Sequence, residues 1–308
     1  MTELTVYLNG KLIPESQATI SINDSGFTLG DTVYEAARTF DGVPFKLNAH
    51  LERLYRSLAY VRINPGLSPA EMEETVREVV ERNRSTIRTD FWVYIYISRG
   101  IYVDNIRHFM PATLEERPPT VVIAPKRLPF ASLAQGYRNG VHAVVPSTRH
   151  TPTRCLDPKL KTCSRMHLVL AEYEAKQVDP KAWSMILDVN GNIAENKSGN
   201  VFIIKNGKLF TPTTGSALAG VTRGTVLEIA EDLGIPVHET TMQPYHAITA
   251  DEAFFTSTGY CIMPIVKVNN IPLGDGKPGP VVKKLLAGWS KRVNLDIVAQ
   301  AESQAANR

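Results

Sequence analysis

Apolar positions recur along this chain with two different periods, and the switches between them separate strands from helices. Leu4 to Leu8 reads as a strand, turned at Asn9-Gly10 and returned by Lys11-Leu12-Ile13, a hairpin signature. Thr32 to Phe40 alternates in strand fashion, and Asp41-Gly42 turns it toward Val43 to Leu47. From about Asn48 the period lengthens, and Leu51, Leu54, Tyr55, Leu58 and Val61 share one helical face. A second helix starts with Ser68 as N-cap, Pro69 in the first turn and Glu71 closing a capping box. Its inward face is Met72, Val76, Val79 and Val80. Phe91 to Ser98 and Thr120 to Ala124 are apolar, β-rich and strand-length.

From Pro125 to Gly136 the chain mixes Pro, Lys, Ser, Gln and Gly without a clear period, which places a linker over 125–136. The expected organisation is a small N-terminal domain over 1–124 and a larger domain over 137–308. In the second part strands are expected at Val141 to Val145, Trp183 to Asp188, and Val201 to Phe210 with a turn at Asn206-Gly207. Helices are expected at about Ser164 to Gln177, Thr222 to Leu233 with Gly234 ending it, and Val281 to Trp289. The class is α+β, with no internal repeat and no low-complexity segment.

Composition narrows the function by exclusion. At 308 residues and 43% hydrophobic content the chain can bury a sizeable core. A net charge of +3 from 34 basic and 31 acidic residues, with no dense basic block, gives no reason to expect nucleic acid. The longest apolar runs, such as Trp92 to Ile97, are strand-length, so no membrane span is expected. Met1-Thr2-Glu3 lacks the basic-then-apolar order of a signal peptide. The three cysteines, Cys155, Cys163 and Cys261, cannot all pair and show no metal spacing, which suits a reducing, cytoplasmic setting.

The chemistry is concentrated in a few segments: Lys161-Thr162-Cys163-Ser164, then Leu187-Asp188-Val189-Asn190-Gly191-Asn192-Ile193-Ala194-Glu195, then Ser198-Gly199-Asn200-Val201-Phe202, and Leu218-Ala219-Gly220-Val221-Thr222-Arg223. By residue type alone each member has an ordinary reading. Lys161 is one lysine among many, Glu195 a loop acid, Thr222 an N-cap and Arg53 a helix-surface arginine. In this order and spacing, however, the segments resemble the fold-type IV pyridoxal-phosphate enzymes. That family includes branched-chain and D-amino-acid aminotransferases, (R)-selective amine transaminases and aminodeoxychorismate lyase. The resemblance runs from Gly30-Asp31-Thr32-Val33-Tyr34-Glu35 to Gly274-Asp275-Gly276-Lys277-Pro278-Gly279-Pro280, nearly the whole chain.

The resemblance implies a small α/β domain and a larger one with a barrel-like β core flanked by helices. It implies pyridoxal 5'-phosphate as cofactor, with Lys161 as the Schiff-base residue and proton shuttle; Lys159 is the competing lysine. A lysine attacks an aldehyde only as the free amine, which burial or a neighbouring positive charge favours. Glu195, 34 residues after Lys161 and five before Asn200-Val201-Phe202, is implied at the ring nitrogen, and Val221, Thr222, Arg53 and Thr258 at the phosphate. A helix N-terminus over Gly220-Val221-Thr222 suits that dianion. The implied reaction is transamination from an amino acid or (R)-amine to a 2-oxo acid by a homodimer. A lyase of the aminodeoxychorismate type shares the same cofactor site and is the competing function.

Substrate-facing candidates are Tyr34 and Arg38, on the same strand face as Ala36, together with Tyr94 and Arg107. Arg38 resembles an arginine of branched-chain enzymes, whereas Tyr94 resembles D-amino-acid aminotransferases. Arg107-His108 follows Arg99-Gly100 after a longer loop than in those enzymes. Arg107 stands either as a carboxylate trap or as a loop charge.

Overall fold

The computed structural model describes residues 3–101 and 118–306. The chain divides into two compact units. Unit 1 contains Met1–Leu128 and Leu160–Ser164, and unit 2 contains Pro129–Lys159 and Arg165–Arg308.

Unit 1 is built on β1 (Thr5–Leu8), β2 (Lys11–Pro14), α1 (Ser25–Leu29), β3 (Thr32–Phe40), β4 (Val43–Pro44), α2 (Leu47–Val61), α3 (Pro69–Ile87), β5 (Phe91–Ser98) and β6 (Thr120–Arg127). The strands form one antiparallel sheet in the order β2-β1-β6-β5-β3-β4. The hairpin turns follow the expected chemistry: Asn9 and Gly10 both take positive φ, as a two-residue turn between right-twisted strands requires. Alternation sorts the sheet into two faces. Val93, Ile95 and Ile97 of β5 are buried with Val121 and Ile123 of β6, while Trp92, Tyr94 and Tyr96 point the other way and stay half-buried. Helix α3 begins with the full Ser68–Glu71 capping box, and Met72, Val76, Val79 and Val80 are all buried. Asn83 on the same helix donates to the Thr5 carbonyl and accepts from its N–H, both at 2.8 Å, so α3 satisfies the backbone of β1.

Unit 2 contains α4 (Phe130–Asn139), β7 (Val141–Val144), α5 (Met166–Val178), β8 (Trp183–Ser184), β9 (Ile186–Leu187), β10 (Ile193–Glu195), β11 (Asn200–Lys205) and β12 (Lys208–Thr211). It continues with α6 (Val221–Asp232), β13 (Val237–Glu239), α7 (Pro244–Ile248), β14 (Glu252–Ser257), β15 (Cys261–Val268), β16 (Ile271–Pro272), α8 (Pro280–Arg292) and α9 (Ile297–Ala306). Its large sheet runs β13-β12-β11-β14-β15-β7-β8, with β16 also on β15, and β9 pairs separately with β10. Helices α4 and α8 pack on β15, α6 and α8 on β14, and α9 lies against α4.

Three stretches differ from the sequence expectation. Within 125–136, β6 runs on to Arg127 and α4 starts at Phe130, because Phe130, Leu133, Ala134 and Tyr137 share one buried face. The strand expected from Trp183 to Asp188 breaks at the buried Met185: β8 joins the large sheet and β9 turns to pair with β10. The helix expected from Ser164 starts at Met166, since residues 162–163 bond to β3 instead.

The centre of unit 2 is aromatic. Phe202 and Phe254, both fully buried, stack at 4.9 Å across β11 and β14. Phe254→Ala should therefore destabilise the protein by about 3–5 kcal/mol, read from the midpoint of urea unfolding.

Candidate functional site

In unit 1, Lys161 is placed by backbone pairing over a long sequence separation. The Tyr34 N–H donates to the Lys161 carbonyl at 3.0 Å, and the Cys163 N–H donates to the Thr32 carbonyl at 2.9 Å. Ser164 Oγ donates to the Gly30 carbonyl at 2.9 Å. The segment thereby lies along the start of β3, the stretch that β4 leaves unpaired. The half-buried Lys161 places its Nζ 3.3 Å from the Tyr34 hydroxyl and 4.4 Å from the ring centroid. Lys159 is exposed and paired with Asp157 at 3.2 Å.

Behind Tyr34, on the opposite face of β3, lies a buried charged cluster. Glu35, fully buried, accepts from Arg53 Nε at 2.6 Å and Nη2 at 2.9 Å, and His50 Nδ1 lies 2.8 Å from its Oε2. His50 and Arg53 sit three residues apart on α2 and so face the strand together. Burial alone would raise the Glu35 pKa, but the charge of Arg53 and the hydrogen bond from His50 hold it well below the carboxylate range. Burial lowers the pKa of His50, more than its bond to Glu35 raises it; the charges of Arg53 and Lys161 act in the same direction as burial. A neutral His50 with Nδ1 protonated then donates to Glu35.

The same face of β3 as Tyr34 carries Ala36 and Arg38, opposite Tyr96, Tyr94 and Trp92 of β5. Tyr34 stacks with Tyr96 at 6.0 Å and Tyr96 with Tyr94 at 5.6 Å. Buried Arg38 lies over the Phe40 ring at 4.6 Å. Arg107 lies outside the described residues.

In unit 2, Glu195 ends β10, buried. Its Oε1 is 2.9 Å from His150 Nε2, and its Oε2 accepts the Leu218 N–H at 3.1 Å. The loop that bears Leu218 is tied a second time, where Asn200 Nδ2 donates to the Leu218 carbonyl at 2.8 Å. Two glycines permit this closeness: a Cβ on Gly199 would meet the Thr256 carbonyl oxygen at 2.0 Å, and one on Gly220 would meet Asn200 Oδ1 at 2.2 Å. Gly220 is the N-cap of α6 and supplies no side-chain cap, so Val221 and the buried Thr222 open the helix without a side-chain partner for its first-turn N–H groups. Helix α6 packs on β14, which leads directly into half-buried Thr258.

His150 was not singled out by the sequence. A histidine after Arg149 has no period or motif to mark it, and its partner lies 45 residues away. Among the described residues no cluster of His, Cys, Asp and Glu is arranged to hold a metal, and no helix is long and apolar enough to cross a membrane.

The chain belongs to amino-transferase class IV, whose family model matches residues 32–268. It is 30% identical over 283 residues to the D-alanine aminotransferase of Bacillus licheniformis, covering 92% of this chain and 94% of that one. The Escherichia coli branched-chain amino acid aminotransferase structure superposes with a TM-score of 0.84 at 28% identity, covering 92% of each chain. A second branched-chain amino acid aminotransferase structure, from T.th. and with pyridoxamine 5'-phosphate, gives 0.85 at 25% identity, covering 95% of each chain. The chain is thus an α+β, fold-type IV aminotransferase.

Removing the charge of Glu35 leaves the Arg53 guanidinium buried without its carboxylate. Glu35→Gln should lower stability by about 3–5 kcal/mol in urea unfolding. The pH sign follows from the depressed pKa: the wild-type contribution is complete above the unfolded carboxylate value of about 4.3 and lost as pH falls through the folded value. The variant should lack that acid-side loss.

Proposed function

We propose that this aminotransferase works with pyridoxal 5'-phosphate, moving an amino group from an amino acid or (R)-amine to a 2-oxo acid. The observation that carries this reading is Lys161, held at the Tyr34 hydroxyl and over its ring while Lys159 is exposed and ion-paired.

The residues present fit the group. A buried carboxylate, Glu195, suits a protonated ring nitrogen, and the uncapped start of α6 suits a phosphate. The glycine approaches at Gly199 and Gly220 keep both arrangements open to close contact. Lys161 would carry the cofactor, and Val221, Thr222, Arg53 and Thr258 would hold its phosphate. When bound, the cofactor supplies an electron sink for the bond broken at the substrate Cα. The amine of Lys161 would move the proton at the substrate Cα, first as base and then as acid. Tyr34, Arg38 and Tyr94 line the substrate side, and either Arg38 or Arg107 takes the carboxylate.

The chain acts as a homodimer in the reducing cytoplasm. The dimer reading is supported by α5, where Met166, Leu170 and Tyr173 form an exposed apolar stripe at helical spacing, with Tyr173 66% exposed. The cytoplasmic reading is supported by the cysteine count, since Cys155, Cys163 and Cys261 cannot all pair. The proposed functional division is a small N-terminal domain over 1–124, a linker over 125–136 and a larger cofactor-binding domain over 137–308.

The decisive experiment is the visible spectrum of the cofactor-loaded protein as D-alanine, L-leucine and (R)-1-phenylethylamine are added separately. Conversion to a pyridoxamine spectrum with one donor is expected and identifies the donor class. An unchanged band with all three, accompanied by pyruvate release from an aminodeoxychorismate-type substrate, would turn the reading to a lyase. Lys161→Ala should abolish the visible band; a retained band would transfer the role to Lys159. Tyr173→Glu should shift sedimentation toward the monomer, and an unchanged coefficient would remove the α5 stripe from the interface.

A further inference from the structure

Glu195, a buried acid of unit 2, meets a histidine to which the family resemblance gives no role. His150 is held at both ring nitrogens and at its backbone. Its N–H donates at 2.8 Å to the carbonyl of Leu187 in β9, the strand that pairs with the strand of Glu195. Its Nδ1 lies 3.1 Å from the Thr151 carbonyl oxygen and its Nε2 2.9 Å from Glu195 Oε1. A carbonyl oxygen only accepts, so Nδ1 carries a proton. Nε2 then faces Glu195 in one of two ways. Either Nε2 is also protonated and meets a carboxylate, or it is bare and meets a protonated carboxyl. In both, the pair holds one shared proton and is neutral as a unit.

We infer that His150 is a positioning residue for Glu195, an imidazolium that holds the carboxylate ionised and oriented in the buried site and compensates its charge. A lone buried carboxylate is costly, and the pairing allows Glu195 to stay buried and ionised before any cationic ring nitrogen meets it. The remaining carboxylate lone pairs, beyond those bonded to His150 and the Leu218 N–H, stay available to that nitrogen.

The surroundings assign the charge to His150 over its neighbour. Burial opposes a charge on His150, but the hydrogen bond and charge of Glu195 outweigh it and raise its pKa; Asp188 acts in the same direction. His167 on α5 stands edge-to-face at 5.0 Å, with Nδ1 3.3 Å from Thr151 Oγ1 and Nε2 buried without a partner. Burial lowers the His167 pKa first, then the charges of His150 and Arg165, against a smaller pull from Glu195. The sign for stability follows. A raised imidazole pKa contributes fully below the unfolded value of about 6.5 and is lost as pH rises through the folded value.

The role of Glu195 as the ring-nitrogen partner rests on the proposed cofactor; the pairing itself does not, and the test separates the two. The full chain, labelled with ¹⁵N-histidine, is titrated by NMR with its cofactor and again after the cofactor is removed. The expected result is a His150 ring protonated at both nitrogens at neutral pH, with a midpoint above 6.5 that falls in Glu195→Gln. A ring with one bare nitrogen at neutral pH and a midpoint unmoved by Glu195→Gln overturns the inference, whatever the cofactor proves to be. The second readout is the ¹⁵N shift of ring-labelled pyridoxal 5'-phosphate. His150→Gln removes the compensating charge, so the ring-nitrogen midpoint should rise by about one pH unit, and His150→Arg should restore it. Equal midpoints in all three proteins overturn the role, and a protein that takes up no cofactor defeats the cofactor reading while the imidazole titration still decides the pair.

Discussion

Both units of this chain bury a carboxyl group, and neither does so without partners already in place. A carboxylate withdrawn from water loses far more than an aliphatic burial returns, unless charge and hydrogen bonds replace the solvent on every side. Glu35 meets that demand with two nitrogens of Arg53 and one of His50. Glu195 meets it with His150 and the Leu218 backbone. The surrounding local structure follows. Helix α2 must present His50 and Arg53 together, and the loop before α6 must come close enough for a backbone N–H to reach β10. Asn200 fastens that loop, and Gly220 leaves room for it. The start of α6 is thereby set by the same carboxylate that is proposed to hold the ring nitrogen.

Lys161 illustrates a different constraint. Its position is fixed by main-chain hydrogen bonds to Thr32 and Tyr34, more than a hundred residues earlier in the chain. Main-chain pairing is indifferent to side-chain identity, so no local pattern around Lys161 marks it. The paired strand also brings the aromatic ring of Tyr34 with it, and an ammonium over such a face is attracted by the ring quadrupole. The single pairing therefore delivers the lysine and its nearest neighbour together.

This explains what could and could not be read from the residues. The capping box of α3 and the Asn-Gly hairpins are local signals whose meaning does not depend on the rest of the chain, and they appear where the pattern places them. The family was legible because the order and spacing of Lys161, Glu195 and Thr222 survive without any contact information. Helix α4 was hidden by Gly136, whose small size reflects the Met263 sulfur that a Cβ would meet at 2.5 Å, a tertiary cause. The break at Met185 is similar, since one residue changes sheets only because β7 and β10 are both there to receive its neighbours. His150 was invisible for the strongest form of this reason: its role exists only in a contact.

Donor selectivity is governed by a smaller energy than any of these. D-alanine and branched-chain relatives resemble this chain over nearly its whole length, so the fold itself cannot choose between their substrates. In the proposed reading the choice rests on the aromatic face of β3 and β5. There the Tyr34, Tyr96 and Tyr94 rings form a stacked row, with Lys126 Nζ 4.9 Å from the Tyr94 centroid. An apolar pocket separates substrates differing by a methylene by only about 1–3 kcal/mol, whereas a group that must pair with a carboxylate discriminates far more strongly. A rigid aromatic row can therefore grade side-chain size, but rejecting a donor that lacks a carboxylate requires a cation. In the proposed reading, the difference between an amino-acid transaminase and an amine transaminase thus reduces to whether a cation at that face meets the donor's carboxylate.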